Sequence, residues 1–217
     1  MRYVKGHGQQ TRNRIVENAS YGLRESGADG MSVADLMKLV GLTHGGFYSH
    51  FDSREALFIE AVALAMDQTV AGWQQLVEAL PIEERLDAFV GGYLSARHRD
   101  NRARGCVLPA LGADIARSSP KARQTFAKKF EEMIDSIVLF FPEASPGEAR
   151  QIATSTLATM LGSMVLARAS GDKALSGDIL EAGRQALRRQ PALRKSGKPR
   201  AENATARQRF ESRKERS

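Results

Sequence analysis

Two kinds of side chain in this chain are suited to chemistry, a single cysteine and four histidines. Cys106 lies in the run R-A-R-G-C-V-L-P-A-L-G-A-D-I-A-R, with Arg102 and Arg104 before it and Arg117 after it. At a helix N-terminus among arginines a thiol loses its proton readily, because the dipole and the cations stabilise thiolate. A thiolate is open to oxidation, to alkylation or to a disulfide with a second copy of the chain. The plainer reading is a small buried hydrophobe, which free cysteine often is. No histidine pairs with Cys106 or with a serine as a base, and His44 and His50 lack a third ligand for zinc. One cysteine excludes an intrachain disulfide and any zinc site built on cysteine pairs. There is no P-loop and no dinucleotide glycine motif. An all-helical enzyme is therefore a weak reading, and no cofactor is expected.

What remains is recognition, and the informative stretch is Ser32 to Phe51. Two short helices are expected there, joined by a tight turn at Gly41 and opened by Ser32 and Thr43 as caps. That is the helix-turn-helix arrangement. Val33, Leu36, Val40, Leu42, Phe47 and Phe51 are the apolar residues able to fix the angle between the helices. Thr43, His44, Gly45, Gly46, Tyr48, Ser49 and His50 are left as a polar face for the major groove. Gly45 and Gly46 each cost about 1 kcal/mol against alanine in a helix. A bare backbone that sits close to DNA accounts for that cost; a weak first turn without function is the alternative. Arg12 and Arg14 either reach phosphate or the minor groove, or are solvated surface.

The elements that must position this face are all helical. Apolar residues recur with helical period from residue 10 to about 188, and no stretch alternates long enough for a strand. The expected helices run from about Gln9 to Ser26, through the two short ones, and then from Ser53 to about Glu78. Further helices are expected over Ile82 to His98, Gly105 to Ala116, Pro120 to Phe141, Glu148 to Ala169 and Asp178 to Arg188. Pro142, Pro146, Gly171 and Gly177 are read as breaks between them. The fold class is all-α. No apolar run approaches the roughly 20 residues of a membrane helix, and MRYVKGHGQQTRNR lacks the apolar centre of a signal peptide. A cytoplasmic protein without membrane contact is the expectation.

Charge is uneven. Residues 188–217 hold eleven Lys and Arg against three acids, a local +8, whereas the whole chain carries +7. The body is therefore near neutral, and the high isoelectric point belongs to the tail. Residues 191–217 read as a basic disordered tail, either adding nonspecific attraction to DNA or only solubilising the chain.

The run G-L-T-H-G-G-F-Y-S-H-F-D-S-R-E-A-L-F resembles the signature of the TetR family of bacterial transcriptional repressors, over about residues 9–60. The resemblance implies an N-terminal three-helix DNA-binding domain at 1–52, with the helix-turn-helix at about 32–51. It also implies a larger helical ligand-binding and dimerisation domain at 53–190, and about nine helices in all. The partners it implies are double-stranded operator DNA, a second copy of the chain, and a small-molecule or electrophile inducer. Tyr48 and His50 match positions that touch phosphate or the groove wall. Ser32 and Thr43 match helix starts that meet phosphate, and Arg54 stands near the backbone where the family often has lysine. His44 matches a base-contacting position, whereas Phe47 and Phe51 match core. Gly46 departs from the Thr, Ser or Ala of many members, so base reading falls on His44, Ser49, helix 1 or DNA shape.

For the second domain the resemblance implies a small-molecule pocket. Trp73, Phe89, Tyr93, Phe126, Phe130, Met133 and Met160 are the candidates, each also readable as plain core. The apolar residues Ile152, Leu157, Met160, Leu161, Met164, Val165 and Leu166 alternate with small ones. With Ile179, Leu180 and Leu187 they are expected to pair with a second copy as a four-helix bundle. The G-C-x-x-x-x-L segment around Cys106 also looks like one in TetR-type repressors that sense electrophiles. The competing function is a redox or electrophile sensor acting through protein partners.

Overall fold

In a computed structural model of the chain, residues 7–30 and 32–189 are described. Among them are nine α-helices, two short 3-10 helices and no strand. The helices are α1 (His7–Ser26), α2 (Val33–Leu39), α3 (Arg54–Val77), α4 (Ile82–Tyr93) and α5 (Ala96–Asp100), then α6 (Leu108–Arg117), α7 (Pro120–Val138), α8 (Pro146–Ala169) and α9 (Lys173–Arg188). The 3-10 helices are His44–Ser49 and Arg102–Arg104. The expected tail, 191–217, lies outside the described residues.

The described residues divide into two compact units, 7–69 with 101–129 and 70–100 with 130–189. The first unit is built around Ile15, Val16 and Ala19 of α1, which pack with Leu36, Met37, Val40, Phe47, Phe51, Leu57 and Ala61. In the second unit α8 and α9 lie side by side. Gly183 permits that approach, because a Cβ there would stand 2.4 Å from Ser163 Oγ.

Several boundaries differ from the sequence expectation, each for a local reason. The long helix expected from Ile82 to His98 is two. It stops at Tyr93, and the Ser95 hydroxyl accepts from the His98 N–H at 3.1 Å, opening α5. The helix expected from Gly105 starts only at Leu108, with Pro109 in its first turn, where a missing N–H does no harm. α7 ends at Val138 rather than Phe141. Pro146 opens α8 instead of breaking the chain, with Ser145 as cap. α9 begins five residues before Asp178 because Asp172 caps it, accepting from the Leu175 N–H at 2.7 Å. Gly177 therefore lies inside a helix.

Two helices correct the expectation that no apolar run reaches membrane length. α3 and α8, 24 residues each, are long and apolar enough to cross a bilayer by length and composition alone. Alanine, glycine and threonine dilute their large apolar residues and hid the run. In α8 the positions Ile152, Ala153, Thr156, Leu157, Met160, Met164 and Ala167 are buried within the protein, as in a core helix.

Candidate DNA-reading surface

The surface is built from short capped pieces. Ser32 caps α2, its hydroxyl accepting from the Asp35 N–H at 3.1 Å. α2 ends in a Schellman motif. Gly41 takes φ +76°, its N–H reaches the Lys38 carbonyl, and the Leu42 N–H reaches the Met37 carbonyl at 2.8 Å. Only glycine takes that conformation without strain, which fixes the turn sharply.

The expected third helix is a 3-10 turn, His44–Ser49. Thr43 precedes it in extended conformation and makes no side-chain cap bond, so its hydroxyl is not spent on the helix end. Phe47 is the one buried side chain in the turn, stacked on Phe51 with ring centroids 5.5 Å apart. Everything else faces outward. Tyr48 is 65% exposed, edge-on to Phe47 at 5.2 Å and to His44 at 6.3 Å. Its ring is thus held at one angle while its hydroxyl projects. The Ser49 hydroxyl donates to the Gly46 carbonyl at 2.6 Å, which leaves it as an acceptor towards solvent. A Cβ on Gly45 would meet nothing within 4 Å, and one on Gly46 only ordinary contacts with Thr43 and Met37. No steric need of the protein itself explains either glycine.

Two arginines of α1 turn out to hold this surface. Arg12 makes a bidentate pair with Glu60 at 2.5 Å, donates to the His50 carbonyl at 3.2 Å and stacks over Phe51 at 4.5 Å. The Glu60 hydrogen bond is the chief reason its pKa is raised. Arg14 donates to the Val40 carbonyl at 3.0 Å. The sequence leaves Arg12 open between a DNA contact and solvated surface; in the fold its guanidinium braces the end of the reading segment through Glu60 and the His50 carbonyl. His50 is half-buried, and Arg54 is exposed at the start of α3, where the Ser53 hydroxyl accepts from the Ala56 N–H.

The residues expected to line a ligand pocket are not all brought together. Trp73, Phe89 and Tyr93 form one aromatic cluster in the second unit, with Trp73 5.0 Å from Phe89 and 6.0 Å from Tyr93. Phe130, Met133 and Met160 belong to that unit too, the two methionines fully buried. Phe126 belongs to the first unit and sits edge-on to Phe58 at 6.0 Å.

Cys106 lies just ahead of α6, in the first unit, and is 3% exposed. Arg102 and Arg104 are exposed, and Arg117 ends α6 paired to Asp114 at 2.9 Å. A buried cation that the sequence did not reveal also interacts with it electrostatically. Arg24 of α1 is as buried as Cys106, donates to the Ala65 carbonyl at 2.9 Å and to Gln68 at 2.7 Å, and leaves its Nε without a partner. Burial pushes the Arg24 pKa down, and attraction from Cys106 and Tyr21 opposes it. Nothing local marks Arg24 as buried, since its partners are some forty residues away.

A short capped helix, a glycine turn and a second element with a bare polar face define a helix-turn-helix DNA-binding protein. Residues 15–61 match the family of bacterial regulatory proteins named tetR, and residues 82–182 match the tetracyclin repressor-like C-terminal domain. The chain belongs to the TetR family of transcriptional regulators, which are not enzymes. An uncharacterised HTH-type transcriptional regulator of Mycobacterium tuberculosis is 26% identical over 172 residues, spanning 76% of this chain and 87% of the relative. The crystal structure of a TetR regulator from Chloroflexus aurantiacus superposes with a TM-score of 0.66 at 26% identity, covering 83% of this chain and 93% of that one. Reduced NemR of E. coli has the same fold, with a TM-score of 0.69 at 20% identity, covering 82% and 95%.

Proposed function

We propose that the chain is a repressor that binds a palindromic operator as a two-fold homodimer in the cytoplasm and leaves it when an inducer binds. The observation that carries this is the 3-10 turn His44–Ser49, which spends one side chain on the core and turns the rest outward. In this reading residues 1–52 read DNA and 53–190 dimerise and take the inducer. Thr43, Ser32 and Arg54 meet phosphate, Tyr48 and His50 the groove wall, and His44 and Ser49 the bases. Gly45 and Gly46 let the backbone approach. Arg12 positions rather than contacts.

The dimer is supported by the outer side of α8. Of the seven apolar residues expected there, Ile152, Leu157, Met160 and Met164 are buried within the chain, as are Leu180 and Leu187 of α9. The exposed part is Val165, Leu166, Ala158 and Gly162, with Leu175 of α9. That face is apolar and small enough for a second copy to pack against closely, and two copies place two reading turns on one duplex.

A second route of release is modification of Cys106, which lies buried in the same unit as the Arg24 guanidinium. An alkyl group added there has no room among buried neighbours and forces the first unit to rearrange.

A mobility shift with DNA from upstream of the chain's own gene tests the reading, at stated salt and with and without a mild electrophile. Specific binding is expected, weakened by roughly ten- to a hundredfold in Tyr48→Ala, in line with 1–3 kcal/mol per good contact. Equal binding of any DNA by both proteins overturns operator reading. Loss of binding with electrophile in the wild type but not in Cys106→Ser supports the second route, and indifference of the wild type removes it.

A further inference from the structure

A half-open pocket of about 310 Å³ lies in the first unit, among the elements that carry the reading turn. Ala19 and Leu23 of α1, Val33 and Leu36 of α2, and Leu57 and Phe58 of α3 form its apolar wall. Arg54, Glu55, Asp114 and Arg117 stand around it together with Ser32. None of these residues belongs to the aromatic cluster of the second unit.

We infer that this cavity is a small-molecule site of the DNA-reading unit, distinct from the inducer pocket, for an uncharged one- or two-ring compound with a single hydrogen-bonding end. Size is the first reason. An apolar cavity of about 150 Å³ already admits benzene, and ligand pockets begin near about 300 Å³. Small residues keep it open: Ala28, in the turn after α1, also lines it, and Ala19 sits at a buried position where a larger side chain would fill the space.

Charge is the second reason. The two arginines and two carboxylates around the cavity cancel, and Asp114 and Arg117 are paired with each other at 2.9 Å. An anion would meet Glu55 and a cation would meet Arg54, whereas a neutral apolar body loses nothing by leaving water. The Ser32 hydroxyl donates to Asp35 Oδ2 at 2.5 Å and accepts from the Asp35 N–H, which leaves its oxygen one further lone pair, and the Arg54 guanidinium can donate; these serve one polar end.

The coupling to DNA rests on the repressor reading above. An occupant touches α1, α2, α3 and α6 together and draws on Ser32 and Arg54, both assigned there to phosphate. DNA and occupant then oppose each other, each lowering the affinity of the other by the same factor.

Indole is a suitable probe, two rings with one N–H. The full chain, with its Leu and Val methyl groups labelled, is titrated with indole by NMR. Saturable binding is expected, with shifts centred on Leu23, Val33, Leu36 and Leu57. Ala28→Phe, which fills the cavity, is expected to weaken it at least tenfold while keeping the wild-type melting curve. Should Ala28→Phe fail to fold, Val33→Phe serves the same purpose. No saturable binding, shifts centred on Met133 and Met160 neighbours, or unchanged affinity in the filled variant overturns the site. Operator binding measured on the same samples separates the two claims, since a chain that binds indole but no operator keeps the site and loses the repressor.

Discussion

The 3-10 turn His44–Ser49 and the helix α8 both leave one side uncovered, and the two bare sides are opposite in kind. The turn has six residues, buries only Phe47 completely, and shows solvent two glycines, a histidine, a serine and the Tyr48 ring. α8 has 24 residues, buries eight, and still shows Val165 and Leu166, the latter 60% exposed, on the side that also carries the exposed Ala158 and Gly162. A polar, thin face suits a wet, charged groove, where hydrogen bonds and close backbone approach decide the fit. An apolar face with small residues suits another protein surface, where water leaves. Exposure alone says little about a partner, because much of any protein surface is apolar. The composition of the bare side carries the information.

The largest effect that this contrast predicts comes from the one anchor of the turn. Phe47→Ala removes a ring stacked on Phe51 from a fully buried site and is expected to cost about 3–5 kcal/mol, read as a fall in the denaturation midpoint. Its neighbour Tyr48, changed to alanine, is expected to leave the midpoint nearly unmoved and to lose only DNA affinity. Equal destabilisation by both would mean that the turn is held by its outer face as well, and the contrast with α8 would fail. Next in size is Leu166→Glu. A carboxylate on the outer side of α8 costs little in a single chain but sits unpaired in a dimer contact. Sedimentation is expected to show dimer association weakened by about a hundredfold, or about 2.7 kcal/mol, with helical content retained. An unchanged dimer would place the contact on another face.

Much of the first unit was legible because its signals are local. The Ser32 cap, the Gly41 turn and the apolar spacing to Phe47 and Phe51 all lie within twenty residues, and each is found as expected. The family resemblance rests on the same run. What was illegible depends on distance. Arg12 reads as a DNA contact or as solvated surface, and nothing local points to Glu60, 48 residues on, which accepts from both its Nη groups. Arg24 carries no local sign of burial, and its carbonyl partner, Ala65, is 41 residues on. The choice of a 3-10 turn over an α-helix at His44–Ser49 was also hidden, since six residues with two glycines carry little helical preference of their own. In the second unit the failures were of punctuation. Gly177 and Pro146 read as breaks in the sequence, although Asp172 and Ser145 ahead of them cap helices that run through both.

The smallest predicted effect concerns His98, which lies where the sequence expected one helix and the fold makes two. Its Nδ1 is 2.7 Å from the Tyr93 carbonyl, an atom that only accepts, so Nδ1 carries the proton of a neutral ring. Burial pushes the His98 pKa below its ordinary 6.5; the bond to Tyr93 opposes that shift, and the positive charge of Arg168 adds to it. Arg168 is fixed there because it donates to the His98 and Arg99 carbonyls, at 3.0 and 3.2 Å. In the unfolded chain the imidazole regains its ordinary value and binds a proton more readily than in the fold. Stability is therefore full above about 6.5 and declines as pH falls through that value, until the folded ring is protonated too. His98→Gln keeps a donor for the Tyr93 carbonyl and removes the titration. Melting curves of the two proteins between pH 7.5 and 5 are expected to diverge below about 6.5, the wild type losing more. Parallel curves would show that His98 titrates alike in both states, and that the α4–α5 corner is held by Ser95 and Arg168 without a neutral ring between them.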